Sequence, residues 1–273
     1  MSAVTQDRGQ NLLTRVLASI GEPVVFVYRQ MAGIMGLFLL TLSYILRGRI
    51  RWREVFVQAH DIGNRSVVFV AFTLGFLGMI LVFQAGFQAM KITGDLQLLG
   101  ALFLQLLLRE FAPTITALML ATRVGTGIAA QIGSMVVTEQ VDAMRMNAAP
   151  PVEYLVVPRF LASMVMTVVL VVFAVLVCYL AGLFTALYAF NVNPRTFVNF
   201  NFVSIVDVIV CLVKAFAYGM AIPIVASYMG LSAHGGSAGV GWATTQSVVS
   251  CSLTVVILDF FLSGISYPFL SGM

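Results

Sequence analysis

Four ionisable side chains sit inside runs that are otherwise fit to cross a lipid bilayer: the neighbours Arg109 and Glu110, Lys214, and Asp259. A charge at the centre of a span costs ~2.5 to 3.5 kcal/mol on insertion scales, so all four are expected to face protein or water rather than acyl chains. Arg109 and Glu110 point ~100° apart on a helix of ~3.6 residues per turn and cannot both address one spot. One of them is therefore expected to pair with Lys214 or Asp259 from a later span, with Lys214 the expected partner of Glu110. Two roles fit such a group. It is either a buried ion-pair network that fixes helix register, or a polar patch lining a cavity for an amphiphile, with basic groups turned to an anionic head group. Pro113 leaves the carbonyl of Arg109 without its usual donor, and Pro223 does the same to Gly219. Bent spans beside charges suit a cavity that opens and closes.

Hydrolytic and redox constellations are missing. The sequence has no Gly-rich phosphate loop ending in Lys-Ser/Thr, no HExxH and no GxSxG, and Ser163, Ser252 and Ser263 have no histidine at useful spacing. His60 and His234 lie far apart, and Cys178, Cys211 and Cys251 each sit singly in an apolar run, where they read as small packing residues. The chain is expected to bind no cofactor or metal and to draw its energy from a partner.

These residues need a membrane scaffold. With 60% hydrophobic and 10% charged residues and a mean hydropathy of +1.00, the composition is that of an all-α polytopic membrane protein. The net charge of +4 does not indicate nucleic acid, because eight of the fifteen basic residues precede residue 66 and the others are scattered without a basic-aromatic patch. Met1 to Gln10 is polar and lacks the apolar core of a secretory signal, so it reads as a cytoplasmic tail. Leu12, Leu13, Val16, Leu17 and Ile20 then line one face of an interfacial helix that Gly21 to Pro23 is expected to break. Val24 to Leu46 is long enough to cross, but arginines flank it on both sides (Arg8 and Arg15; Arg47, Arg49, Arg51 and Arg53), so it is expected to enter and stay in the inner leaflet.

Five spans are expected to follow: Ser66 to Met90, Leu96 to Thr122, the long charge-free run from Phe160, Val203 to Met229, and Trp242 to Leu270. Arg123, Arg145 and Arg159 then fall on the cytoplasmic side with the N-terminal arginines, whereas Lys91 and Arg195 fall outside. The amino end is thus cytoplasmic and the carboxyl end external. Residues 1–63 form a tail and inner-leaflet helices, residues 64–273 the five-span core, and the whole is expected to be one domain.

Between the second and third spans lies a polar interval, Arg123 to Arg159, with a short amphipathic helix at about 137–147. Glu139, Asp142 and Arg145 share its polar face, Val137, Val141 and Met144 the apolar one, and Asn147 with Pro150 and Pro151 ends it. The run Leu108-Arg109-Glu110-Phe111-Ala112-Pro113, followed in order by Arg123-Val124-Gly125, Ile132-Gly133, Thr138-Glu139-Gln140 and Pro158-Arg159-Phe160, resembles the signature of the MlaE (YrbE) family. The likeness covers roughly residues 60 to 270. It departs from the family at Gln131, Pro150 and Arg145, where acidic residues are usual.

That resemblance implies the permease subunit of an Mce-type ABC lipid transporter in the bacterial inner membrane. It implies a homodimer with a cytoplasmic ATPase that holds the ATP and magnesium, a periplasmic Mce-domain protein, a small STAS-type cytoplasmic subunit, and a phospholipid cargo. Thr138, Glu139, Gln140, Asp142, Met144 and Arg145 would form the helix seated on the ATPase. The residues alone also admit an intramembrane lipid-modifying enzyme.

Overall fold

The computed structural model describes residues 12–48, 50–92, 94–199 and 203–271, with the backbone alone for residues 12–24, 26, 27 and 269–271. The polar tail Met1 to Gln10 lies outside the described residues. The chain forms helices α1 (Leu12–Leu46), α2 (Trp52–Ile92), α3 (Leu99–Val137), α4 (Gln140–Met146), α5 (Val152–Phe190), α6 (Pro194–Phe197), α7 (Ile205–Leu231) and α8 (Gly236–Ser271). Six described segments are long and apolar enough to cross a membrane, five of them α2, α3, α5, α7 and most of α8, the sixth Tyr28–Leu46 within α1. The protein is a multi-pass, all-helical membrane protein.

Close backbone approach holds the spans together. A Cβ on Gly78 of α2 would meet the carbonyl oxygen of Cys178 in α5, and one on Gly219 of α7 would lie 2.9 Å from the Cα of Met164. With no hydrophobic driving force between helices in lipid, small residues of this kind let dispersion contacts accumulate. α7 is the central helix. Its Ala215, Tyr218, Ile222, Val225 and Ala226 are buried among α3, α5 and α8. The three cysteines are free and buried, as packing residues would be.

α3 runs further than the sequence suggests. The expected end of this span at Thr122 is corrected, because Val124, Ile128, Ala129, Ile132 and Gly133 continue the helix as buried residues to Val137, leaving Arg123 inside it. Two π-helical turns interrupt α3, at Leu107–Phe111 and Ala121–Gly125, and each carries charge: Arg109 and Glu110 in the first, Arg123 in the second. Such turns arise where one extra residue is accommodated, frequently at functional positions.

The break expected at Gly21 to Pro23 is also corrected, since α1 is continuous from Leu12 to Leu46. A proline removes one helical bond and can bend a long helix without ending it. Ile34, Leu37, Phe38 and Ile45 of α1 pack with the start of α5 (Val152, Val156, Phe160, Leu161, Met164) and the second half of α7 (Met220, Ile224, Tyr228, Leu231), and Ile34 also joins the larger cluster of α2, α3, α5, α7 and α8 residues. Phe38 and Phe160 meet edge to face at 6.2 Å. These contacts lie towards the end of the bundle that carries α4. At the opposite end, α5 stops at the left-handed Asn191, and α6 packs its buried Phe197 over Gly100.

Candidate functional site

The π-helical turn of α3 at Leu107–Phe111 meets α7 and α8 at a cluster of charges. Lys214 is almost fully buried, and its ammonium donates to the carbonyl oxygen of Arg109 at 2.8 Å, to Glu110 Oε2 at 2.9 Å and to Ser263 Oγ at 2.7 Å, while Asp259 Oδ1 stands 2.9 Å away. All three ammonium protons are thereby used. The first of these acceptors is the carbonyl that Pro113 deprives of its usual donor. The proline thus prepares a lone acceptor on α3, and Lys214 on α7 supplies the proton. Ser263 donates onward to Glu110 Oε1 at 3.1 Å, and the Tyr218 hydroxyl donates to Asp259 Oδ1 at 2.6 Å. Pro223 lies inside α7, about two turns beyond Lys214.

Arg109 points elsewhere, as its offset from Glu110 requires. Its Nε donates to Asp207, a fully buried carboxylate at the start of α7. Asp207 was not among the expected site residues. It sits at the edge of a polar loop, where a charge is unremarkable. The available signal was Ser204-x-x-Asp207 ahead of an apolar run, which here forms a reciprocal cap: Asp207 Oδ2 accepts from the Ser204 backbone N–H at 2.9 Å, and Ser204 Oγ accepts from Val206 N–H at 3.3 Å.

Exposure divides the cluster. The side chains of Lys214 and Asp207 are 1% and 0% exposed, whereas those of Arg109 and Glu110 are 31% and 43% exposed. Counting every group as ionised, two cations face three carboxylates. Arg109 bonds through Nε alone among the described residues, so its guanidinium edge and, on a different face of α3, the Glu110 carboxylate are each partly open. Leu106 and Phe111, which flank this pair, also line a cleft of about 710 Å³ between α2 and α3, with Leu81, Ala85, Leu99 and Leu102 as further walls and Gln88 and Asp95 towards its far end. This volume falls within the usual range for small-molecule sites.

The second group of expected residues lies about 40 Å along α3 from Glu110, at ~1.5 Å per residue. The amphipathic helix is shorter than expected at its start: α4 spans Gln140–Met146, with Thr138 ending α3 and Glu139 in the left-handed conformation between them, at φ 59°. Ala148, at φ 54°, reverses the chain on the other side. Two non-glycine residues in this region cost of order 1–3 kcal/mol each, so the surroundings must enforce the turns. Val141 is the buried anchor of α4, Met144 is half-buried, and Glu139, Gln140, Asp142 and Arg145 are exposed. Arg145 and Asp142 pair with each other at 3.0 Å. The structure therefore gathers Arg109, Glu110, Lys214 and Asp259 at mid-span and keeps the α4 residues together as a separate projecting end.

The sequence pattern of the family described as Permease MlaE matches residues 55–265. A probable ABC transporter permease protein of Synechocystis is 38% identical over 226 residues, covering 82% of this chain and 86% of that protein. A protein of the same description from Rickettsia typhi is 32% identical over 257 residues, covering 92% of this chain and 98% of the other. Protein TRIGALACTOSYLDIACYLGLYCEROL 1, chloroplastic, of Arabidopsis thaliana is 30% identical over 225 residues, covering 80% of this chain and 63% of that one.

Proposed function

The chain belongs to the MlaE permease family and is a transporter permease, and from that premise we propose that it is the membrane subunit of an ATP-driven transporter carrying phospholipid between the inner and outer membranes of a bacterium. The observation that carries this reading is an apolar cleft whose walls include Leu106 and Phe111, the residues on either side of the partly exposed Arg109 and Glu110. Acyl chains need the walls of Leu81, Leu99 and Leu102, and a phosphate diester needs the free edge of a guanidinium, which grips such oxygens in a fork. The name of the Arabidopsis relative, which refers to a galactolipid, also supports a lipid cargo.

In this reading α4 is the contact with the cytoplasmic ATPase, on which ATP and magnesium are bound. Its exposed Glu139, Gln140, Asp142 and Arg145 provide a polar docking face, and Val141 ties it to the bundle. α3 links that face to the charge cluster as one helical rod, so movement at α4 is transmitted to the cavity. The permease works as a homodimer: the apolar window of α8 is only 11% buried within one chain, and Leu253, Val256 and Phe260 remain exposed for a second copy. The α4 end faces the cytoplasm together with the amino terminus, because Arg47, Arg51, Arg53, Arg145 and Arg159 cluster there while Lys91 and Arg195 lie at the opposite end. The carboxyl terminus is then periplasmic, where a Mce-domain protein receives the lipid, and a small STAS-type subunit sits on the cytoplasmic side.

Purification of the tagged chain from its native membrane tests the assignment. An ATPase should copurify, and the complex should move labelled phospholipid between vesicles only when ATP is hydrolysed, leaving the lipid chemically unchanged. A chain that purifies alone and alters the lipid's mass would instead be a lipid-modifying enzyme.

A further inference from the structure

A small polar cleft of about 130 Å³ opens between α2 and α3 near the α4 end, with Gln58, Asp61, Arg65, Ser66, Arg123 and Gln131 among its walls. It lies about 20 Å along α3 from Glu110, at ~1.5 Å per residue, and is separate from the charge cluster. Arg123 donates to Ser66 Oγ at 3.1 Å and has no carboxylate within 4.0 Å among the described residues. The ion pair of Arg65 with Asp61 is long, at 4.0 Å, and largely exposed, a geometry worth ~0–1 kcal/mol.

Behind this wall, Arg159 is buried. It donates to the Leu155 carbonyl at 2.9 Å and to Gln131 Oε1 at 3.1 Å, its Nε has no partner, and no carboxylate stands within 4.0 Å of it among the described residues. Because the oxygen of Gln131 is taken by Arg159, the amide presents its NH₂ as a donor. The cleft is thus lined by the guanidinium groups of Arg65 and Arg123, the Gln131 amide and the single carboxylate of Asp61, with Arg159 behind Gln131. An anion seated in the cleft faces Arg65 and Arg123 directly and Arg159 only through Gln131, and its charge offsets a local excess of cations.

The cleft holds about four water volumes of ~30 Å³ each, enough for a phosphate but not for a whole lipid. The space for the remainder is on α2. Phe69, Phe72 and Phe76 are exposed and fall within about 40° of Arg65 around the helix, so they form a ridge rising from the cleft, with Phe72 and Phe76 stacked at 6.5 Å. Ser66, in the cleft wall, begins the charge-free run of α2 that ends at Met90. A donor-rich cationic notch continuous with an aromatic ridge, placed where the apolar span starts, has the polarity profile of a membrane lipid.

We infer that this cleft is a second lipid site, which binds the phosphate of an anionic lipid from the leaflet at the α4 end while an acyl chain lies along Phe69, Phe72 and Phe76. Its role is independent of the cargo cavity and does not require that the permease move lipid at all. The test is thermal stability of the delipidated complex, titrated with phosphatidylglycerol, phosphatidylcholine or inorganic phosphate. Phosphatidylglycerol should protect at lower concentration than phosphatidylcholine, and inorganic phosphate should protect little. In Arg65→Gln/Arg123→Gln the half-protecting concentration of phosphatidylglycerol should rise at least about tenfold, because the charge-assisted bonds to the phosphate are lost. Lys91→Gln/Arg195→Gln, at the opposite end, should keep the wild-type preference. Arg65→Gln alone, which gives up only the long, exposed pair with Asp61, carries the test should the double variant fail to fold. An unchanged preference for phosphatidylglycerol in the Arg65 and Arg123 variants would overturn the inference, as would equal protection by inorganic phosphate, which would make the cleft a small-anion site.

Discussion

Lys214→Met is the most informative single perturbation of the mid-span cluster. The substitution keeps the length and most of the volume of the side chain but withdraws the one cation that Glu110 and Asp259 share, and it leaves the Arg109 carbonyl without its donor. Removing one partner of a buried ion pair costs ~3–5 kcal/mol. Glu110 is 43% exposed and recovers part of its solvation, whereas Asp259 is 20% exposed and recovers less, so the lower part of that range applies to the first carboxylate and the upper part to the second. At ~2–4 °C per kcal/mol for a chain of this size, an unfolding midpoint lower by roughly 6–20 °C is expected, with reduced complex yield. The assay is thermal unfolding of purified complex with the yield scored in parallel. Neutralising the carboxylates as well, in Lys214→Met/Glu110→Gln/Asp259→Asn, should restore much of the loss, because the penalty comes from charge left unpaired and not from a missing contact. A Lys214→Met protein within about 1 kcal/mol of wild type, or a triple variant no better than the single one, would refute the reasoning.

Other consequences follow from packing, coupling and topology. Gly78→Ala should lower stability by ~1–3 kcal/mol, because its Cβ would strike the backbone oxygen of Cys178, whereas Gly75→Ala, whose nearest new contact is 3.6 Å away, should be close to neutral; unfolding midpoints compare the two. Glu139→Lys should reduce lipid-stimulated ATP hydrolysis in the assembled complex without loss of permease yield, since the side chain is exposed and does not support the bundle; unchanged hydrolysis would remove α4 from the coupling interface. A cysteine replacing Ser271 should react with an impermeant thiol reagent from outside, and one replacing Ser2 should not. Labelling of both ends from the same side would mean that α1 crosses the membrane.

The charge cluster was largely legible because ionisable residues inside apolar runs are costly and conspicuous. The ~100° offset between Arg109 and Glu110 required two partners, and the sequence offered Lys214 for Glu110. Asp207, the partner of Arg109, was hidden because a carboxylate beside a polar loop is ordinary there, although the Ser204 cap marked the position. The continuation of α3 past Arg123 was hidden for another reason. Gly125 and Gly133 look like punctuation, but they are points of helix contact: a Cβ on Gly125 would lie 3.4 Å from Cys251 Sγ, and one on Gly133 would lie 3.3 Å from Ala233 Cβ. Local pattern cannot distinguish a glycine that ends a helix from one that lets another helix approach. The left-handed Glu139 likewise carries no sequence signature, since only the surrounding fold forces a glutamate into that conformation.

The central claim is that the outward edge of Arg109 holds a lipid head group, and the rate of lipid transfer by Arg109→Gln complex tests it most directly. Asp207 keeps its bond from the Ser204 backbone in this variant but loses its guanidinium partner while fully buried, so the complex should be less stable by ~3–5 kcal/mol. Transfer is scored per assembled complex beside Arg109→Lys, which keeps a cation next to Asp207 but not the forked edge. Measured with labelled phospholipid between vesicles at saturating ATP, transfer by that assembled complex should fall at least about tenfold, the loss expected when charge-assisted bonds worth ~1.5–3 kcal/mol each are removed from the head group. Transfer at the wild-type rate would contradict the account.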